Sequence, residues 1–226
     1  MTGSVRIGLF GGLQAHDGGR GLDLGGPKQR AVLAVLALDP GRAASPSRLI
    51  DLVWGEHVPN RAEVSLQAYV SNLRRVLEPD RLPRQAPRLL LTHPAGYSLA
   101  VGREQVDVTR FEDLAARGHQ QLVHGDPNEA AATLDAALAV FVGDLLPELA
   151  EEPWVVEAAA RLHEVRATAL EDRFDAGLTL GEHRAMAQRI DAAVTEDPYR
   201  ERLRGQQALA LYRSGRQRDA LAALQS

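Results

Sequence analysis

At 226 residues, with 45% hydrophobic and 25% charged side chains, the chain is long for one domain and comfortable for two. It holds no cysteine, which excludes disulfides, thiol nucleophiles and thiolate metal sites, and it has no run of about 18 apolar residues long enough to span a membrane. Its net charge of −4 conceals an asymmetry: residues 1–105 carry 13 Lys/Arg against 9 Asp/Glu, a balance of +4, whereas residues 106–226 carry 13 against 21, a balance of −8. Such a contrast points to two domains, 1–105 and 106–226, with different partners. The opening MTGSVRIGLFGG lacks the basic and apolar regions of a signal peptide, so a cytoplasmic location and no membrane partner are expected.

The first 25 residues are Gly-rich with short apolar runs, VRIGL, LQA and GLDL, and read as two or three short strands joined by tight turns such as the DGG at 17–19. From Pro27 the period changes. PKQRAVLAVLAL is predicted as a helix with proline in its first turn, stopped by Asp39-Pro40-Gly41. SPSRLIDLVWG gives a second helix with Ser45 as N-cap, Pro46 at N1 and Gly55 as the stop. After the loop EHVPNRA, a third helix runs from about 63 to 77, with Leu66, Val70, Leu73 and Leu77 on one narrow arc. Residues 79–87 are turn-rich, and RLLLTHPAGYSLAV is predicted as a β-hairpin around Pro94-Ala95-Gly96.

From about residue 109 onward the sequence is Ala/Leu-rich and helical. Gly181, Met186 and Ile190 recur 34 residues later as Gly215, Ala220 and Leu224, and an earlier copy stands at Gly125, Ala130, Leu134 and Ala137. A period of 34 with glycine at the helix–helix turn is the tetratricopeptide pattern, and a nonrepeating α-bundle is the alternative. The extra residues between the first two copies hold the loop DLLPELAEEPW and a long helix from about 154 to 177.

Catalytic patterns are missing. The Gly-rich GGRGLDLGGPK is not followed by Gly-Lys-Ser/Thr, as a phosphate loop requires. His163-Glu164 opens like a zinc-protease helix, but position 167 is alanine; His119 and His124, five apart, lie on different helix faces. Glu148, Glu151 and Glu152 read as a solvated acidic surface. No catalytic residue, metal site or cofactor is expected, and the protein is not expected to be an enzyme.

The third helix is where chemistry concentrates. Opposite its apolar arc lie Gln67, Ala68, Ser71, Arg74 and Arg75, flanked by Asn72 and Tyr69, with no acid from Val64 to Leu77. Short polar groups let a helix approach base edges, and arginines reach phosphate or guanine. Three helices followed by a hairpin is the order of a winged helix–turn–helix, whose third helix enters the major groove. LIDLVWG, VSNLRRVL and AGYSL resemble the winged helix of OmpR/PhoB-type response regulators. Together with the preceding LGGPKQRAVLAVLAL and the C-terminal helices, the chain is similar to the Streptomyces antibiotic regulatory protein (SARP) family. That family joins such a domain to a tetratricopeptide-type bacterial transcriptional activator domain. The fold class is therefore expected to be mainly α, a winged helix–turn–helix followed by all-α repeats.

The resemblance implies a DNA-binding activator of a secondary-metabolite gene cluster that binds tandem direct repeats as a head-to-tail dimer and recruits RNA polymerase holoenzyme on the nucleoid. It implies a backbone contact for Trp54 and for Tyr97, and base or phosphate contacts for Gln67, Tyr69, Ser71, Asn72 and Arg74. Face geometry favours Gln67, Ser71 and Asn72 for bases, and Tyr69, Arg74 and Arg75 for phosphates. Arg88, Thr92 and His93 are candidates for phosphate or minor-groove contact, with Arg88 equally readable as a solvated strand end. Ser65 joins the DNA-contact set, and Lys28, Arg30 and Arg61 are added on charge and proximity to helix starts. The loop from Glu56 to Arg61, including His57 and Asn60, is the implied polymerase contact. Response-regulator relatives often carry arginine where this chain has Ser71 and Asn72, so no base preference carries over. The repeat beginning near 201 needs about 34 residues and the chain ends at Ser226, so a truncated fragment and an unusually short protein are both open. A tetratricopeptide-type adaptor with no DNA affinity is the alternative function.

Overall fold

In the computed structural model, residues 5–82 and 84–225 are described; the opening four residues, Pro83 of the turn-rich segment and Ser226 lie outside them. The N-terminal apolar runs form an antiparallel sheet of β1 (Val5–Gly8), β2 (Gln14–Asp17) and β3 (Arg20–Gly21), in that order. Its inward side chains, Val5, Ile7 and Ala15, alternate with outward ones as a half-buried sheet requires. Three helices follow at the expected places: α1 (Pro27–Leu38), α2 (Pro46–Trp54) and α3 (Ala62–Leu77). The Ser45 hydroxyl accepts from the Arg48 N–H at 3.2 Å, which makes it the N-cap of α2. A hairpin of β4 (Leu90–His93) and β5 (Gly96–Leu99) closes this part.

Packing divides the chain into two units, Met1–Phe111 with Val140–Arg161, and Glu112–Ala139 with Leu162–Ser226. Residues 140–161, which the sequence groups with the helical half, thus fold with the first unit. Backbone satisfaction explains why. The strand exit at 9–13 offers buried amides that no neighbouring strand takes, and such groups need partners. The Asp107 carboxylate accepts from Leu9 N–H at 2.8 Å and Phe10 N–H at 3.0 Å. Gly11 N–H donates to Asp144 O at 2.8 Å, and Leu146 N–H donates to Leu9 O at 2.9 Å. Leu146 holds a left-handed φ of 44°, a conformation that costs a non-glycine about 1–2 kcal/mol; its side chain is fully buried there. Phe10, Phe111 and Phe141 form an aromatic cluster, with centroids 4.5 Å apart for Phe10–Phe141.

Glu148 departs from its sequence reading as solvated acidic surface. Its carboxylate accepts from Leu13 N–H at 2.9 Å and from Arg30 at 2.8 Å, and Arg30 also donates to Leu13 O at 2.7 Å. One carboxylate therefore ties the sheet to α1 and to the 140–161 segment. Burial alone would raise its pKa, but the Leu13 and Arg30 hydrogen bonds together hold it below the ordinary value. Burial pushes Asp107 the other way, upward, against the backbone N–H groups that oppose it.

The helical part comprises α4 (Asp107–His124), α5 (Pro127–Val140), α6 (Pro153–Thr179), α7 (His183–Glu196), α8 (Glu201–Arg213) and α9 (Gln217–Gln225). The three repeat glycines, Gly125, Gly181 and Gly215, sit between paired helices at φ of 87°, 84° and 83°, the left-handed turn that glycine adopts without strain. The repeat positions Ala130, Met186 and Ala220 are all buried, as are Leu134 and Ile190. Leu224 breaks the correspondence with Ile190: it is 64% exposed, because α9 packs principally against α8 and its far side is open. Part of the acidic excess is internal. Arg200 bridges Glu164 and Glu171, and Arg202 bridges Glu171, Asp172 and Asp175, with Glu171 and Asp172 buried. His119 is exposed and sets Nδ1 2.7 Å from the buried Asp172. Among the described residues, no helix is long and apolar enough to cross a membrane.

Replacing Glu148 with Ala is expected to lower unfolding stability by about 1–3 kcal/mol near neutral pH, the cost of orphaning the Leu13 amide and the Arg30 guanidinium. Because its folded pKa lies below the ordinary value near 4.5, the ionised contribution is present above that value and lost as pH falls through the folded one. Glu148→Gln should therefore show less of the acid-dependent loss than wild type, which urea unfolding at neutral and mildly acid pH measures.

Candidate nucleic-acid interface

The interface is built on the end of α2. Two of its last carbonyls receive donors from elsewhere in the first unit: Leu52 O from the Trp154 indole at 3.1 Å, and Val53 O from Lys28 Nζ at 2.5 Å. Such donors satisfy carbonyls that a helix C-terminus leaves open. They hold the turn at Trp54-Gly55, where Gly55 takes a φ of 55°. Trp54, half-buried, stacks on the Tyr69 ring of α3 with centroids 5.9 Å apart and planes 15° from parallel. The indole thus packs against the neighbouring helix and keeps an exposed edge.

Helix α3 is seated by Ala62, Leu66, Val70, Leu73 and Leu77, all buried. Each such aliphatic side chain larger than alanine contributes about 1.5–3 kcal/mol when fully buried. At 3.6 residues per turn, this arc leaves Val64, Ala68, Ser71 and Arg75 directly opposite, and all four are exposed. Gln67 is exposed on one shoulder; Ser65, Tyr69 and Asn72 are half-buried on the other. Arg75 donates to the Asn72 side-chain oxygen at 2.7 Å, so the two form one polar unit on this face.

Arg74, expected at phosphate, is engaged within the first unit. Its Nε donates to Leu90 O at 2.8 Å and its Nη2 to Thr92 Oγ1 at 2.7 Å. Burial lowers its pKa from the ordinary value, although the group keeps its charge at any physiological pH. The fork joins α3 to the hairpin, bringing two expected DNA contacts, Arg74 and Thr92, into contact with each other. The hairpin is fixed at its other edge by Tyr97, whose N–H and C=O pair with Ala44. Gly96, at φ 132°, is required there: a Cβ would fall 2.0 Å from Ala44 O. Arg88 directs its backbone N–H and, at 3.6 Å, its guanidinium to the buried Glu78 carboxylate. His93 Nε2 lies 2.8 Å from Ser98 Oγ. Glu56, His57, Asn60 and Arg61 are exposed in the loop that enters α3. Lys28 and Arg30 direct their donors inside the fold, to Val53 O and to Leu13 O with Glu148.

Sequence reasoning missed the supports of this face, Trp154 and Glu148, and it missed Val64 on the face itself. Only the exposed valine had a sequence signal, an aliphatic residue on the side opposite the arc. Among the described residues, no group of three His, Cys, Asp or Glu is arranged to hold a metal ion.

A three-helix unit with a hairpin pinned to its third helix, continuous with paired helices, defines a winged helix–turn–helix joined to a tetratricopeptide-like domain. Residues 20–99 match the family described as transcriptional regulatory protein, C terminal, and residues 106–226 match the bacterial transcriptional activator domain. The chain is 36% identical to the regulatory protein AfsR of Streptomyces coelicolor over 98% of its own length and 22% of that protein. It is 33% identical to the regulatory protein DnrI of Streptomyces peucetius, over 97% of this chain and 82% of that one. The solved structure of Mycobacterium tuberculosis EmbR in complex with a low-affinity phosphopeptide superposes with a TM-score of 0.92 at 34% identity, covering 99% of this chain and 58% of that one. The chain belongs to the SARP family of transcriptional regulators, with an OmpR/PhoB-type winged helix and a bacterial transcriptional activator domain. It spans about a fifth of the length of AfsR.

Arg74→Ala is expected to release the hairpin from α3, speeding amide exchange in β4 and β5 by about one to two orders of magnitude, as loss of a charge-assisted pair of bonds implies. Arg74→Lys should restore little of that protection, since an ammonium cannot reproduce the planar fork. Hydrogen exchange read by mass spectrometry separates the two variants.

Proposed function

We propose that the protein is a sequence-specific DNA-binding transcriptional activator that lays α3 in the major groove and the β4–β5 hairpin along the adjacent backbone or minor groove. The observation that carries this reading is the outer face of α3. It is free of acid beyond Glu63, ends in an exposed Arg75 paired with Asn72, and is held in register with the hairpin by Arg74. Membership of the SARP family supports it. Gln67, Ser71 and Asn72 meet bases. Arg61, Tyr69 and Arg75 meet the phosphates, with Ser65, Arg88, His93 and Tyr97 at the margins. Trp54 adds its exposed edge at the backbone. Arg74 and Thr92 act mainly by setting the hairpin.

On this reading, protomers bind tandem direct repeats head to tail, a heterologous arrangement that needs no twofold axis. The loop Glu56–Arg61 presents Glu56, His57 and Asn60 to RNA polymerase holoenzyme. A few kcal/mol of added contact suffices, since each 1.4 kcal/mol raises occupancy of a weak promoter about tenfold. The targets are genes of an antibiotic-type cluster, and the protein works in the cytoplasm on the nucleoid.

Selection of random duplexes by the full chain, repeated across salt, tests the reading. Enrichment of a tandem direct repeat is the expected result, with Arg75→Ala weakening binding and reducing the salt slope by about one. No enrichment, or an unchanged slope in Arg75→Ala, would overturn it. Capture of a protein partner without DNA affinity would move the reading to the adaptor.

A further inference from the structure

The stripe of α3 that points straight away from its core changes character along its length. Its C-terminal half carries Ser71 and Arg75, the latter joined to Asn72. Its N-terminal half carries Val64, 62% exposed, and Ala68, also exposed. Ser65 and Gln67 lie beside them, so after Glu63 the first turns of the helix present no charged side chain. A solvated helix face normally carries charged or polar groups at such positions. Val64 is not held there by packing, because the inward positions of these turns are filled by Ala62 and Leu66.

If α3 is the recognition helix, as proposed above and as this inference requires, its N-terminal residues are the ones that meet base edges. Hydrogen-bonding groups occupy nearly every position of those edges in the major groove. The apolar exception is the 5-methyl of thymine, which pairs with aliphatic side chains. We infer that Val64 and Ala68 are specificity-determining residues that read thymine methyl groups. The operator half-site then carries thymine opposite the N-terminal half of α3, beside the hydrogen-bonded base readout by Gln67, Ser71 and Asn72. Val64 supplies most of the apolar surface. Ala68 is small enough to let the helix approach until that surface is buried.

The test uses the full chain on the duplex obtained by selection, with each thymine replaced singly by deoxyuridine. That change removes the methyl group and leaves every hydrogen-bonding group in place. Wild type should lose about fourfold in affinity at one or two positions, the worth of one buried methyl. Val64→Ser should bind the thymine and uracil duplexes equally at one of those positions while keeping the same selected sequence elsewhere. The inference is overturned if no thymine is sensitive to the replacement, or if Val64→Ser shows the same losses as wild type. Circular dichroism and unfolding of Val64→Ser should match wild type, because the side chain is exposed. Failure to select any duplex overturns the DNA-binding reading and this inference together. A selected operator that is indifferent to uracil overturns the inference alone.

Discussion

A single carboxylate, that of Glu148, connects three parts of the first unit. It caps the Leu13 amide at the strand exit, pairs with Arg30 on α1 and fixes its own segment between α5 and α6. The need to satisfy buried backbone groups explains why this segment folds with the first unit. Once β2 turns away, the amides at 9–13 have no strand to pair with, and residues 107 and 144–148 supply their acceptors. Trp154, six residues beyond Glu148, then reaches the end of α2. The winged helix of this chain is thus completed by residues from beyond its own hairpin.

That completion bears directly on the functional face. Trp154 and Lys28 hold the last carbonyls of α2, which sets Trp54, and Trp54 stacks on Tyr69 of α3. From the other side, Arg74 fastens α3 to the hairpin. Helix α3 is therefore positioned by its buried arc, by an aromatic stack and by a guanidinium fork, which leave the stripe of Val64, Ala68, Ser71 and Arg75 exposed. Preorganisation of this kind lowers the ordering cost of binding.

Much of the architecture was legible in the sequence because it rests on local chemistry. Pro27, Ser45, Pro46 and Gly55 mark helix ends by rules that need no tertiary context, and the start of α1 and both ends of α2 fall within a residue of them. The repeat glycines were legible for the same reason, since a left-handed turn selects glycine wherever it occurs. What escaped depends on groups far apart in sequence. Nothing near Glu148 announces a partner at Leu13 or Arg30, and nothing near Arg74 announces that its fork faces Leu90 and Thr92. An arginine on a helix face looks the same in sequence whether it meets solvent, phosphate or a neighbouring strand. Leu224 shows the converse limit: periodicity gives its place in the repeat, while its burial depends on a neighbour.

Placement of the outer stripe of α3 in the major groove is open to a direct chemical test. The absence of cysteine from the chain allows one exposed position to be converted and tethered to an iron chelate that cleaves nearby DNA. The expected result with Glu63→Cys, an exposed position at the start of α3, is cleavage confined to each selected half-site, and none from the same chelate at Leu221→Cys, an exposed position on α9. Cleavage from position 221 with none from position 63 would place the DNA on the helical repeats and contradict an α3 seated in the groove.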